Sequence, residues 1–126
     1  MATKTEALRG LVTARLKTLT DQVHFGYGTV SASAQGRYLV YDLQELSCTD
    51  GLTLMELEVS VMDYGRDTVA AEAMADKVQA LFDHYQELTD QLQVSFYKDR
   101  RQPVYESDKN IIRRRLTFTV RLYEGS

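Results

Sequence analysis

An Asp50-Gly51 turn between two long alternating stretches is the feature that most constrains the fold. Apolar and polar side chains alternate before the turn through residues 37–48 and after it through residues 53–61. Asp-Gly tolerates the positive φ angles of tight hairpin turns, and a period of two is typical of strands with one buried face. The sequence therefore predicts a β-hairpin and a sheet built around it.

The remaining periodic stretches add two helices and two further strands. Apolar residues recur at helical spacing over residues 4–20 and again from Ala71 to Tyr85. Alternation returns over residues 92–98 and 112–122. This order, helix-strand-strand-helix-strand-strand, predicts an α+β fold with two helices packed on one face of a mainly antiparallel four-stranded sheet. An extra short strand fits near residue 24.

Two stretches without periodicity predict loops within one domain. Residues 26–36 are rich in glycine, serine and alanine, and residues 99–110 contain Pro103 among polar side chains. Loops of this length in compact domains are usually functional, or disordered until a partner binds, so we expect both to be mobile. A length of 126 residues suits a single domain spanning residues 1–126.

Charge is segregated along the chain. Residues 1–41 have a net charge of +3, residues 42–90 of −10 and residues 91–126 of +4, although the whole chain carries only −3. Such blocks arise simply from solvated acidic faces of a sheet and a helix, or they prepare contacts with oppositely charged surfaces. The sequence is compatible with both interpretations.

No residue pattern indicates catalysis, a metal site or a cofactor. His24 and His84 fall on different elements, and neither accompanies a Cys-x-x-Cys or His-x-x-x-His spacing. Cys48 is the only cysteine and has no adjacent base, which also favours a reducing, cytoplasmic site of synthesis. Because no apolar run reaches about 18 residues, we expect no membrane span. Because no residue cluster indicates a cofactor or substrate pocket, we expect a protein that is not an enzyme.

One basic cluster supports two competing hypotheses. It comprises Lys98, Arg100, Arg101, Lys109 and Arg113–Arg115, with tyrosines nearby. A small nucleic-acid-binding module is one interpretation, since arginines contact phosphates and tyrosines stack on bases. The other is head-to-tail packing, in which the basic last strand of one subunit meets the acidic strand pair and second helix of the next and the contacts close into a ring.

Three segments together resemble the tail-completion and tail-terminator proteins of long-tailed bacteriophages and prophages. They are the hairpin RYLVYDLQELSCTDGLTLMELEVSVMDYG, the following helix RDTVAAEAMADKVQALFDHY and the closing strand RRRLTFTVRLYEG. The resemblance rests on pattern and order across nearly the whole chain, and residues 26–36 and 99–110 fall outside it. It implies a ring, expected to be a hexamer assembled from subunits that are monomeric when free, which caps the head-proximal end of the tail tube.

The resemblance also implies partners, a location and a mechanism. The ring would end tube polymerisation and prepare head-tail joining, with the major tail tube protein and a head-completion or connector protein as partners. DNA would pass through the ring without sequence readout. The expected location is the head-tail junction of a virion assembled in the bacterial cytoplasm. A head-closure or other neck protein is the alternative within this setting.

Two groups of residues are predicted to make these contacts. Subunit-interface or lumen positions are Glu56, Glu58, Arg113, Arg115 and Arg121. Partner-contact loop positions are Tyr27, Gly28, Arg100, Arg101 and Tyr105. The sequence alone leaves open whether the arginine strand faces the lumen, a neighbouring subunit or solvent.

Overall fold

A computed structural model describes residues 4–26, 36–64, 68–89, 92–105 and 111–123 of the chain. These residues form two helices and six strands. The elements are α1 (Lys4–Leu16), β1 (Val23–Phe25), β2 (Arg37–Thr49), β3 (Leu52–Tyr64), α2 (Thr68–Phe82), β4 (Tyr85–Leu88), β5 (Gln93–Val104) and β6 (Ile111–Tyr123). No helix among these residues is both long and apolar enough to span a bilayer.

The six strands form one mixed sheet in the order β1-β2-β3-β6-β5-β4. β1 pairs with β2 in parallel, and all other neighbouring strands are antiparallel. The sheet curls into a half-barrel. The predicted four-stranded, mainly antiparallel sheet is therefore wrong, because two short strands extend the sheet at its two edges and one of them makes it mixed.

The β2–β3 hairpin forms as its turn chemistry predicts. Asp50 and Gly51 connect the strands with φ angles of 50° and 81°, the left-handed values that this dipeptide tolerates. The register runs from Thr49 opposite Leu52 to Arg37 opposite Asp63, with one irregularity between Glu45 and Ser47. The hairpin thus supplies two long strands of the sheet.

The strand β4 occupies the predicted end of the second helix and part of the stretch between that helix and the next predicted strand. α2 ends at Phe82 rather than near residue 85, and His84 adopts a left-handed φ of 61° that stops the helix. The chain then reverses, and Tyr85–Leu88 pairs with the start of β5. Four residues with alternate exposed side chains give too short a pattern for sequence-based detection.

β5 is longer than predicted, and residues 99–104 belong to it rather than to a mobile loop. A register shift between Lys98 and Arg100 lets the strand continue beside β6. Pro103 is tolerated because β4 covers only residues 93–96, so the outer side of β5 needs no N–H at this position. The rest of the predicted loop, residues 106–110, lies outside the described residues, as do residues 27–35.

The core lies between the helices and one face of the sheet. Leu8, Val12 and Leu16 of α1 and Met74, Val78 and Phe82 of α2 join the inward side chains of β2, β3, β5 and β6 in one buried cluster. Phe82 and Phe118 are fully buried, with ring centroids 5.5 Å apart. α1 ends at Leu16, four residues earlier than predicted, and Leu19 packs against the core from the turn that follows.

Candidate interaction surface

The face of the sheet opposite the helices gathers most of the predicted contact residues. Side chains alternate across a strand, and the register sets the polar members of β3, β5 and β6 side by side. Those that share this helix-free face are Glu56, Glu58, Tyr97, Arg100, Arg113, Arg115, Thr117, Thr119 and Arg121. Five predicted interface residues and one predicted loop residue, Arg100, therefore lie together.

The acidic and basic side chains on the helix-free face bind each other within one chain. Glu58 Oε1 lies 3.5 Å from Nη2 of Arg113 and 4.0 Å from Nη1 of Arg115. Arg113 also donates from Nε to the buried Ser60 hydroxyl, at 3.1 Å. These contacts arise because β3 and β6 are neighbours, which places the acidic strand beside the basic one.

The pairing extends to β5. Arg100 Nη2 lies 3.9 Å from Glu56 Oε1, and its Nη1 donates to Asp99 at 2.9 Å. Arg121 differs from the other arginines of this face, because no ion pair is found for it among the described residues. Its guanidinium lies 5.6 Å from the ring centroid of Tyr97. Arg121 is thus the cation of this face that remains available to another molecule.

Arg101 lies on the helix-covered face of the sheet, where it stabilises the packing of α2. It follows Arg100 in β5, so it points toward α2, where its Nη1 donates to Asp76 at 2.7 Å and its Nη2 to Glu72 at 2.5 Å. Arg114 of β6 donates to Glu72 from the same side. The four residues form a clamp between α2 and the β5–β6 pair, which we call the α2 clamp.

The α2 clamp shifts two protonation equilibria. The hydrogen bond from Arg114 holds the pKa of the Glu72 carboxyl below its usual range, although burial works to raise it, and the hydrogen bond and charge of Arg101 lower it further. Burial works to lower the pKa of Arg101, but hydrogen bonds to Asp76 and Glu72 reverse this effect and raise it. Both groups are therefore held in their charged forms.

The clamp and the helix-free face bring part of the acidic block into contact with the basic block. Glu56, Glu58, Glu72 and Asp76 come from the acidic block, and each has an arginine partner from the basic block. The sequence missed Glu72 and Asp76 as partners of the arginines because strand order was needed to bring α2 beside β5 and β6. The signal available for this pairing was a charged residue on the side of α2 that faces the sheet.

Tyr105 and nearby apolar side chains form a second exposed surface. Tyr105 is 93% exposed just after β5, and Val69 is 79% exposed at the start of α2. A shallow depression between these elements is lined by Thr68, Val104, Tyr105, Ile111, Ile112, Arg113 and Arg114. Tyr105, a predicted partner contact, is therefore exposed to solvent, whereas Tyr27 and Gly28 lie outside the described residues.

The other candidates for chemistry stay apart. His24 contacts Tyr38 edge to face, His84 contacts Tyr97, and Cys48 is exposed and accepts a hydrogen bond from Thr53. Among the described residues, no group of three or more potential metal ligands occurs together.

Comparison with solved structures finds the same fold in a virion. The chain is similar to a protein in the virion of a native gene transfer agent (GTA) particle, with a TM-score of 0.65 and 16% identity, over 96% of this chain and 92% of that one. A second solved structure, described without a function, gives a TM-score of 0.69 and 16% identity over 95% and 93% of the two chains. At this identity the likeness shows a shared fold. No family model matches the chain. No curated protein matches it significantly.

Proposed function

We propose that this protein is a structural component of a phage or phage-like virion that caps the head-proximal end of the tail tube as a ring. The observation that carries the proposal is the likeness to a gene transfer agent virion protein, which spans nearly all of both chains. A likeness of that extent covers the whole fold of both proteins and is not limited to a shared motif. It agrees with the order of elements that the sequence shares with tail-completion and tail-terminator proteins.

The chemistry of the surface supports a role in protein contacts. The arginines that would form a nucleic-acid patch are mostly neutralised by carboxylates of the same chain. A phosphate backbone would have to displace Glu58 from Arg113 and Arg115, which reduces any gain from binding. Protein interfaces are in contrast enriched in tyrosine and arginine, and Tyr105 and Arg121 are both exposed on this protein.

A capping ring needs one side that binds the end of the tube. Its other side must not offer a binding surface for the next tube subunit. A head-to-tail contact between copies produces such a ring when its rotation closes, and we propose a hexamer formed from monomers at the tube end. The tube protein and a head-completion or connector protein would bind its two sides, and DNA would pass through without sequence readout. Tyr105 and Arg121 are the proposed contact residues, since both are exposed.

Electron microscopy of particles made without this chain tests the proposal. Abnormally long tails separated from filled heads are the expected result, because nothing would then stop tube growth. Tails of normal length beside filled, unjoined heads would replace capping with a head-closure role. Normal, infectious particles would rule out both roles and direct attention to DNA binding, which should then weaken steeply with salt.

A single substitution tests the ring contact without disturbing the fold. Arg121→Glu reverses an exposed charge that has no ion-pair partner among the described residues, so we expect stability to be retained and ring assembly to be lost. Lys77→Glu, at an exposed position of α2, is the matched control. Mass photometry in the presence of tube ends gives the assembly state. Equal assembly by the two variants would remove Arg121 from the interface.

A further inference from the structure

Within the part of the chain that the structure describes, the outer edge of β2 is open over half of its length. β1 pairs only with Leu39–Tyr41, so residues 43–49 have a strand neighbour on the β3 side alone among the described residues. Unpaired N–H and C=O groups along such an edge are a template for another extended chain. One of them is already used, since the N–H of Leu43 donates to Asp42 Oδ1 at 3.0 Å.

The side chains along this edge are exposed on both faces of the strand. Every residue from Gln44 to Thr49 is exposed, and Leu46, the extra residue at the register shift, is 53% exposed. Most large apolar side chains of the described sheet are buried in the core by contrast. A segment lying along β2 would therefore gain an apolar contact as well as backbone hydrogen bonds.

Charge decides what kind of segment fits. Asp42, Glu45 and Asp50 lie along or beside the edge, and none of the three forms an ion pair among the described residues. The carboxylates of the neighbouring strand β3 are in contrast paired with arginines. Two copies of this edge would repel each other, whereas a segment rich in lysine or arginine would be attracted.

On the other side of the sheet, the described part of β5 that extends beyond β4 is a poor edge for a second copy. The N–H of Lys98 in β5 already donates to Asp83 at 3.0 Å, and Pro103 has no N–H to offer. Beside these lies the register shift at Lys98 and Arg100, which bends the strand. Because β5 is protected in this way, the partner for β2 is not the β5 edge of another copy.

We propose that residues 43–49 of β2 bind a short, extended, basic segment of another protein, which joins the sheet as an added strand. The backbone would supply the hydrogen bonds, Leu46 an apolar contact, and Asp42, Glu45 and Asp50 the selection for positive charge. The register shift between Glu45 and Ser47 limits the added strand to a few residues. This surface depends on β2 alone, so it would exist whether or not the protein caps a tube.

A synthetic octapeptide of alternating lysine and valine is a suitable probe, titrated into the full-length protein. Backbone hydrogen exchange, resolved by residue, should slow within residues 43–49 on binding. The same peptide N-methylated at its third and sixth residues keeps its charge but loses a donor on each edge, and it should bind at least tenfold more weakly. Equal binding of both peptides, or binding without slower exchange at β2, would overturn strand addition.

A pair of charge reversals tests the selection for basic partners. Glu45→Lys should weaken binding of the lysine–valine peptide about fivefold or more, since exposed charge pairs contribute modestly to affinity. It should also create affinity for the corresponding glutamate–valine peptide. Asp21→Lys, at an exposed position outside the edge, is the matched control and should change neither. Equal effects of the two reversals would show that only net charge matters and would refute the proposal.

Discussion

Removing the carboxylate of Glu72 should destabilise the protein through the α2 clamp. In Glu72→Gln the side chain keeps its length but loses charge, so Arg101 and Arg114 each lose one charge-assisted hydrogen bond. Arg101 retains Asp76, whereas the described contacts of Arg114 include no other carboxylate. Most of the cost should therefore come from Arg114.

The magnitude follows from the exposure of the three side chains. Glu72 is 43% exposed, so its contribution must be discounted for solvent screening, and pairs of this kind contribute about 0.2–1 kcal/mol each. The arginine side chains are only 22% and 21% exposed, which adds a cost for leaving cations partly buried. We expect a loss of about 1–2 kcal/mol at pH 7 and a fall in Tm of about 3–8 °C.

The pH dependence separates the ion pair from other effects of the substitution. Because the folded pKa of Glu72 lies below its unfolded value of 4.5, the pairing is fully present above that value. It is lost as the pH falls through the folded pKa. Urea unfolding of the wild type and of Glu72→Gln should therefore differ at pH 7 and converge toward pH 3.

The assay needs a double-mutant cycle and a control. Arg114→Gln alone, and combined with Glu72→Gln, should give a coupling energy of at least about 0.5 kcal/mol at pH 7. Lys77→Gln, on the exposed side of α2, should change stability by less than about 0.5 kcal/mol. A difference between wild type and Glu72→Gln that stays the same at pH 3 would refute an electrostatic clamp.

Three further outcomes follow from the same structure. Phe118→Ala should cost about 3–5 kcal/mol by urea unfolding, because the ring is fully buried against Phe82, whereas Tyr105→Ala should have almost no effect on stability. Glu58→Gln should lower stability by about 1 kcal/mol, with the difference fading in 1 M salt, since Arg113 and Arg115 both lie near its carboxylate. Burial, with help from a hydrogen bond to Glu87, raises the pKa of Tyr85, so stability should fall as the pH rises above 10; the fall should be smaller in Tyr85→Phe.

Sequence-based prediction succeeded where a local pattern was long and chemically explicit. The β2–β3 hairpin had an Asp-Gly turn flanked by extended alternation, and β6 kept its apolar residues on one face from Leu116 to Leu122. The stripe of α2 likewise matches the side chains that the structure buries. In each case the residues that define the element also form its contacts with the core, so local pattern and tertiary burial agree.

Prediction failed where an element depends on its neighbours. β4 was missed because its four residues are too few to show alternation, and it forms because β5 offers an edge to pair with. β1 was expected as a short strand near residue 24, but its parallel pairing with β2 had no local signal. Residues 99–104 are polar and include Pro103, which is typical of a loop but also of an unpaired edge strand. The curl of the sheet depends on all six strands and has no local signal.

The segregated charge illustrates how strand order changes the meaning of a sequence pattern. Glu58 is separated from Arg113 by 55 residues, yet the two meet because β3 and β6 are adjacent. The acidic and basic blocks therefore attract each other first within one chain. On the two described surfaces considered above, the charges without an ion pair are Arg121 on the helix-free face and Asp42, Glu45 and Asp50 along β2. A contact between molecules that used the paired residues would have to replace an existing ion pair, so the unpaired charges are where binding can gain most.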